Sequence, residues 1–258
     1  MSNLRKIVAI GGGEIGRPRK DGRGHYPVET TSIDQEILRL TNSKTATLLF
    51  IPTASHDSSD YFETVKKHFL NIGFTSVDVL YLLDKSLSES QIRKAILSCD
   101  AIYVGGGNAL QMMTVWRKQG VDKTLKQALD KGIVLSGLSA GSICWFNQGS
   151  SDSRRFTSGS NKLINVTGLG FIDATHCPHY DVEPCRHSDI KKKMRNSAKV
   201  AICLDNCVAV EIVGNEYRII KSKAAAKAHR AYWKNNKYHV EEIKPANVFK
   251  RVETLLTK

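Results

Sequence analysis

The sequence predicts a three-layer α/β fold, a mostly parallel sheet with helices on both faces and β-hairpins added towards the C-terminus. Two observations carry this. Short apolar runs alternate with segments of helical periodicity up to residue 136, and after residue 200 apolar runs are joined by tight turns instead. A parallel strand covered on both faces reads as an unbroken apolar run, and each parallel crossover needs a helix to bring the chain back.

Taken in order, the strands are KIVAI (6–10), TATLLFIP (45–52), VDVLYLL (77–83), AIYV (101–104) and IVLS (133–136). Between them, SDYFETVKKHFLNIG starts at a Ser58 or Ser59 cap, and Ser88-x-x-Gln91 is a capping box. ALQMMTVWRKQG and VDKTLKQALDKG each stop at a glycine. NQGSSDSRRFTSGSN (147–161) is polar and reads as a mobile surface loop bordering a site. VAICL (200–204) and CVAVEIV (207–213) follow as strands, and Gly214-Asn215 turns into EYRIIKSK. KAHRAYWK and KYHVEEI flank Asn235-Asn236 as a hairpin, and NVFKRVETLL is a closing helix. The 258 residues read as a single domain, 1–258, long enough to bury a sizeable core.

Composition narrows the function classes. Hydrophobic residues at 41% and charged residues at 24% fit a soluble globular chain. No stretch approaches the ~18 apolar residues of a membrane span. The apolar run in MSNLRKIVAIGGG is too short for a signal sequence, so the expectation is a cytoplasmic protein without a membrane partner. Cysteines 99, 144, 177, 185, 203 and 207 are scattered and are expected to be reduced thiols. Cys203, Cys207 and His179 match no zinc spacing, so no metal or cofactor is expected. The formal charge is +13, but the basic clusters (RPRK near 17, KKK at 191, KSK at 221, KNNK at 234) are dispersed and accompany no nucleic-acid motif. They read first as solvated faces and second as attraction for acidic ligands.

Three glycine loops end strands. GGGEIG (11–16) matches a dinucleotide fingerprint in form, but no helix opens at its third glycine, so a tight turn is the better reading. Gly105-Gly106-Gly107-Asn108 joins a strand to a helix and could aim backbone amides at an oxyanion. Gly137-Leu138-Ser139-Ala140-Gly141 is G-x-S-x-G between the strand IVLS and a helix AGSICWFN. A sharp strand–helix turn lifts the serine hydroxyl above the sheet and needs neighbours without bulk. Of the four candidate nucleophiles here, Ser136 lies in the strand, while Ser142 and Cys144 lie in the helix. Ser139 is therefore the candidate, the plainer alternative being a small residue in a glycine turn. A serine needs a base, and His179 in THCPHYD stands out after an apolar segment and a proline.

YVGGGN, then GLSAGS, then CPHY, with AIGGGEIG and FIPTAS before them, resemble the dipeptidase E and cyanophycinase family of serine peptidases over residues 6–213. The resemblance implies a class I glutamine amidotransferase-like fold, with a serine at the elbow where those enzymes carry cysteine. It implies Ser139 as nucleophile, His179 as base, and an oxyanion hole of Ala140 with Gly106 or Gly107. The family's acid falls in CLDNCVAV, where Asn206 occupies its usual position and Asp205 precedes it. Asp205 is favoured, and Asn206 could also hold the imidazole tautomer. Dipeptidases of the family act on small peptides with an N-terminal aspartate. Arg186 is the matching basic residue, and Asn108 is a further substrate-binding candidate. A homodimer is left open.

Two other readings compete. A true α/β-hydrolase needs the order serine, acid, histidine, which Ser139, Asp205 and His239 would supply. A non-catalytic binding protein on the same fold would keep the elbow without turnover.

Overall fold

β1 (Lys6–Ile10) shows how the core is divided. Side chains alternate across a strand. Ile7 and Ala9 enter one buried cluster, and Val8 and Ile10 enter another on the opposite face. Burying each large aliphatic side chain contributes about 1.5–3 kcal/mol, so both faces must be covered. This computed structural model describes residues 4–19, 21–83 and 86–258; Met1 to Asn3 of the opening segment and Lys20 of RPRK lie outside it.

The chain continues through α1 (Thr31–Thr41), β2 (Thr47–Ile51), α2 (Ser59–Asn71), β3 (Ser76–Val79), α3 (Glu89–Leu97), β4 (Ala101–Val104), α4 (Ala109–Lys118), α5 (Val121–Asp130) and β5 (Val134–Leu138). Strands β1, β5, β4, β2 and β3 pair in parallel in that order. Helices α1 and α2 cover one face through Ile33, Ile37, Val65 and Phe69, and α4 and α5 cover the other through Met112, Trp116, Leu125 and Leu129. Ser58 caps α2 by accepting from the Tyr61 amide. The Ser88–Gln91 capping box forms as predicted. β3 is shorter than VDVLYLL suggested, because Asp57 Oδ2 accepts the Leu82 and Leu83 amides that a neighbouring strand would otherwise take.

Past the elbow, α6 (Ala140–Ile143) is a single turn, and β6 (Phe146–Ser151) starts where a longer helix was expected. Then come α7 (Arg154–Ser158), β7 (Ile164–Thr167), β8 (Ile172–Cys177), α8 (Cys185–Lys193), β9 (Ala201–Leu204), β10 (Val208–Val213), β11 (Glu216–Lys221), β12 (Ala228–Lys234), β13 (Lys237–Ile243), β14 (Lys250–Arg251) and α9 (Val252–Leu256). β10, β11 and β14 extend the first sheet antiparallel to β1. The other strands form a second sheet, ordered β13-β12-β9-β8-β6-β7. Asn235 and Asn236 both have positive φ, the backbone of the hairpin turn expected there. The closing helix is shorter than NVFKRVETLL, since Lys250 and Arg251 pair with Tyr217 and Glu216 as strand.

The first buried cluster runs from Ile7 and Leu135 in one sheet to Ala174, Ile202 and Ala228 in the other. The chain changes sheet four times, after β5, β9, β11 and β13. The first two of these crossings meet at the end of β1, where the candidate site is built. No helix among the described residues is long and apolar enough to cross a membrane.

Candidate active site

The elbow follows from close approaches that only glycine permits. A Cβ on Gly137 would lie 2.3 Å from the Gly141 carbonyl oxygen, and one on Gly141 would lie 2.1 Å from that of Val104. Ser139 sits between them at φ 58°, ψ −111°, a sparsely populated conformation for a residue with a side chain. Its amide donates to the Ile10 carbonyl at 3.1 Å, which ties the turn to the end of β1.

Ser139 Oγ lies 2.7 Å from His179 Nε2, and His179 Nδ1 lies 2.7 Å from Asn206 Oδ1. A carbonyl oxygen only accepts, so Nδ1 carries the proton and Nε2 presents its lone pair to the serine hydroxyl. Burial is the main cause holding His179 below the usual histidine pKa; the nearby Arg186 charge acts the same way, and the Asn206 bond opposes it. The site is strained at three points, with positive φ at Ser139, His179 and Cys207.

The sequence-level preference for Asp205 as orienter is not what the geometry shows. Asp205 is buried, and its Oδ2 accepts the Lys227 amide at 2.9 Å, away from the imidazole. The Asn206 amide donates to Asp181 Oδ1 at 2.9 Å, which fixes the turn that delivers Oδ1 to His179. The α/β-hydrolase grouping does not assemble either, since His239 stacks on Tyr232 in the hairpin. Cys203 packs with Cys177 in a buried cluster while Cys207 Sγ faces Glu29.

Among the other elbow nucleophiles, Ser136 Oγ donates to the Ile102 carbonyl, and Ser142 Oγ donates to the Ser139 carbonyl. Cys144 Sγ contacts the Gly141 carbonyl, and burial pushes its thiol well above the usual range. The amides of Ala140 and Gly107 donate to no acceptor among the described residues, as an oxyanion hole requires. The Gly106 amide is less free, at a long 3.5 Å from the Tyr61 hydroxyl.

The two substrate-binding candidates are held by the protein itself. Asn108 is 2% exposed and caps α4, its Oδ1 accepting the Gln111 amide at 3.1 Å. Arg186 is also buried; its Nε donates to Glu183 at 2.7 Å and its Nη1 to the Ser150 carbonyl at 2.9 Å. That leaves Arg186 Nη2 without a hydrogen bond among the described residues. A cavity of about 510 Å³ beside α2, lined by His25, Tyr26, Glu63 and Lys67, does not include Ser139.

The first glycine loop does more than the sequence reading allowed. The Gly11 carbonyl accepts the His179 amide at 3.1 Å, and the Gly12 carbonyl accepts that of Cys207 at 2.8 Å. A Cβ on Gly12 would lie 2.0 Å from Asn206 Oδ1 and 2.4 Å from His179 Nδ1. The loop is a bracket under the His179–Asn206 pair. In the sequence it showed as a glycine run at a strand end and as part of the family resemblance, neither of which assigns it this contact.

Residues 22–220 match the profile of peptidase family S51. The chain is 31% identical over 232 residues to the uncharacterized peptidase YgaJ of Bacillus subtilis (strain 168), covering 88% of this chain and 92% of that one. Its fold is similar to that of a peptidase from an acI-B1 actinobacterium, with a TM-score of 0.66, 16% identity, and 97% and 98% of the two chains covered. It is also similar to that of a provisionally named peptidase E from Listeria monocytogenes EGD-e, with a TM-score of 0.59, 20% identity, and 84% and 98% covered.

Proposed function

The chain belongs to peptidase family S51 and is a serine-type peptidase, and on that premise we propose that it hydrolyses small acidic peptides through Ser139, His179 and Asn206. The observation that carries this reading is the unbroken chain from Ser139 Oγ through the imidazole to Asn206 Oδ1, at 2.7 Å and 2.7 Å. His179 Nε2 takes the hydroxyl proton as Ser139 Oγ attacks the scissile carbonyl. The Ala140 and Gly107 amides receive the oxyanion, with Gly106 as the alternative donor. The imidazolium then protonates the leaving amine, and a water activated by the same nitrogen releases the acyl group. Asn206 holds the tautomer throughout but brings no charge to the imidazolium.

The basic composition supports an acidic substrate, and Arg186, whose Nη2 has no hydrogen bond among the described residues, is the candidate contact although it is buried. Glu183 already offsets part of that charge, so the preference should fall at the low end of a charge-assisted hydrogen bond, about 1.5 kcal/mol or roughly tenfold. Asn108 would act through the backbone of the Gly105–Gly107 loop. We take the protein to act in the cytoplasm as one folded unit, alone or as a homodimer. The test compares Asp-p-nitroanilide with Asn-p-nitroanilide, using wild type, Ser139→Ala and Arg186→Met. The reading expects faster cleavage of Asp, loss of that preference in Arg186→Met, and no turnover of either in Ser139→Ala. Equal rates for the two substrates in the wild type would remove the acidic specificity.

A further inference from the structure

The inference rests on the serine-peptidase reading of Ser139. Three segments each bring one member of the site: Ser139 follows β5, His179 follows β8, and Asn206 follows β9. One buried side-chain pair touches all three. Ser142 Oγ lies 2.7 Å from the Ser139 carbonyl oxygen and 2.8 Å from His176 Nε2. His176 belongs to β8, and its Nδ1 lies 3.0 Å from the Ile202 carbonyl of β9. Ser142, His176 and Ile202 are all fully buried. The imidazole is stacked on Phe146, with ring centroids 4.4 Å apart and planes 8° apart, so its orientation is fixed.

Counting hydrogens shows why the pair is rigid. Both carbonyls can only accept, so Nδ1–H donates to Ile202 and the Ser142 hydroxyl donates to Ser139. Burial depresses the His176 pKa to about 3, so Nε2 carries a bare lone pair. That lone pair accepts from the Ser142 hydroxyl, whose single proton it shares with the Ser139 carbonyl. The proton lies between two acceptors; the Ser139 carbonyl also accepts the Ser142 and Ile143 amides at 3.0 Å each, so rotating Ser142 away would loosen that carbonyl and leave His176 Nε2 as the buried group without a partner.

We propose that Ser142 and His176 are positioning residues, a buried brace that fixes the Ser139 carbonyl, and with it the strained elbow, to the two strands that present His179 and Asn206. Neither touches the reacting atoms. They act by keeping Ser139 Oγ within reach of Nε2, and a misplacement of the order of 1 Å can cost about 100-fold in rate.

The test is inactivation of the intact protein by an alkyl fluorophosphonate, which needs no knowledge of the natural substrate and separates kinact from KI. The brace predicts that Ser142→Ala and His176→Phe each lower kinact by about 10- to 100-fold with KI nearly unchanged. Ser139 should still label to completion in both. The double variant should fall no further than the worse single one, because the two act as one unit. Should His176→Phe fail to fold, Ser142→Ala, which removes one oxygen atom, decides alone. A kinact close to wild type in Ser142→Ala, a loss carried by KI, or independent losses that multiply in the double variant would overturn the brace while leaving the peptidase reading intact. A wild type that does not label at Ser139 would overturn both.

Discussion

Replacing Asn206 by Asp places a formal charge against His179 Nδ1, where the present oxygen accepts at 2.7 Å. The charge centres would stand about 4 Å apart, which gives about 1 kcal/mol at the dielectric of water and about 4 kcal/mol at the effective value typical near a protein surface. At 1.36 kcal/mol per decade, the His179 pKa should rise by about 1–3 pH units. The direction matters for activity. In the wild type, burial and Arg186 hold the imidazole below its usual pKa, so the base stays neutral and active to unusually low pH. In Asn206→Asp the acid limb of the pH–rate profile should move to higher pH. On the plateau the imidazolium formed in the transition state is better stabilised, so kcat should increase by about fivefold or more. Because Asn206 already fixes the tautomer, the gain should be smaller than the ~10⁴ separating Asp from Asn in proteases where the amide presents the wrong one. The assay is kcat/KM for Asp-p-nitroanilide from pH 4 to 9, with Asp205→Asn as the control. An acid limb that stays in place in Asn206→Asp, or moves in Asp205→Asn, would refute Asn206 as the orienter.

Gly12→Ala should lower turnover by about 100-fold or more while the protein remains folded by circular dichroism, because its Cβ would fall 2.0 Å from Asn206 Oδ1. Burial, as the leading cause, pushes Glu211 up to about 7, against the nearby Arg218. An acid whose folded pKa is raised keeps its proton in the folded state, so its contribution is fully present at low pH and is lost as pH rises from the unfolded carboxyl range through about 7. Chemical denaturation from pH 4 to 8 should show that decline in the wild type and a flatter profile in Glu211→Gln. Ser58→Ala should cost about 0.5–2 kcal/mol of stability by removing the α2 cap, read as a lower midpoint in urea with activity per folded molecule retained.

The parallel half of the fold was legible because its information is local. KIVAI and AIYV coincide with β1 and β4, and the Ser88–Gln91 box marks the start of α3. The second sheet was legible in part: VAICL, KAHRAYWK and KYHVEEI match β9, β12 and β13, but β6 was missed because its side chains are polar and are satisfied only in the fold. β6 carries Gln148, Ser150 and Ser151, bonded to Thr175, Asp189 and Ser153, and on composition alone it read as a loop. Ser139 and His179 were readable from motif context. The choice between Asp205 and Asn206 was not, because it is a one-residue register question at a turn. That turn is set by Asp181 on the Asn206 amide and by the positive φ of Cys207. Arg186 shows the same limit: its residue type suits a carboxylate, but Glu183 and Ser150 already hold two of its nitrogens.

The central claim is that Ser139 alone, among the four hydroxyl and thiol groups between Val134 and Trp145, is activated by His179. Peptide mapping by mass spectrometry after stoichiometric fluorophosphonate treatment at neutral pH tests this directly. The predicted result is a single adduct on Ser139, absent from Ser139→Ala and strongly slowed in His179→Ala. An adduct on Ser142 or Cys144, or labelling of Ser139 that is indifferent to His179, would contradict it.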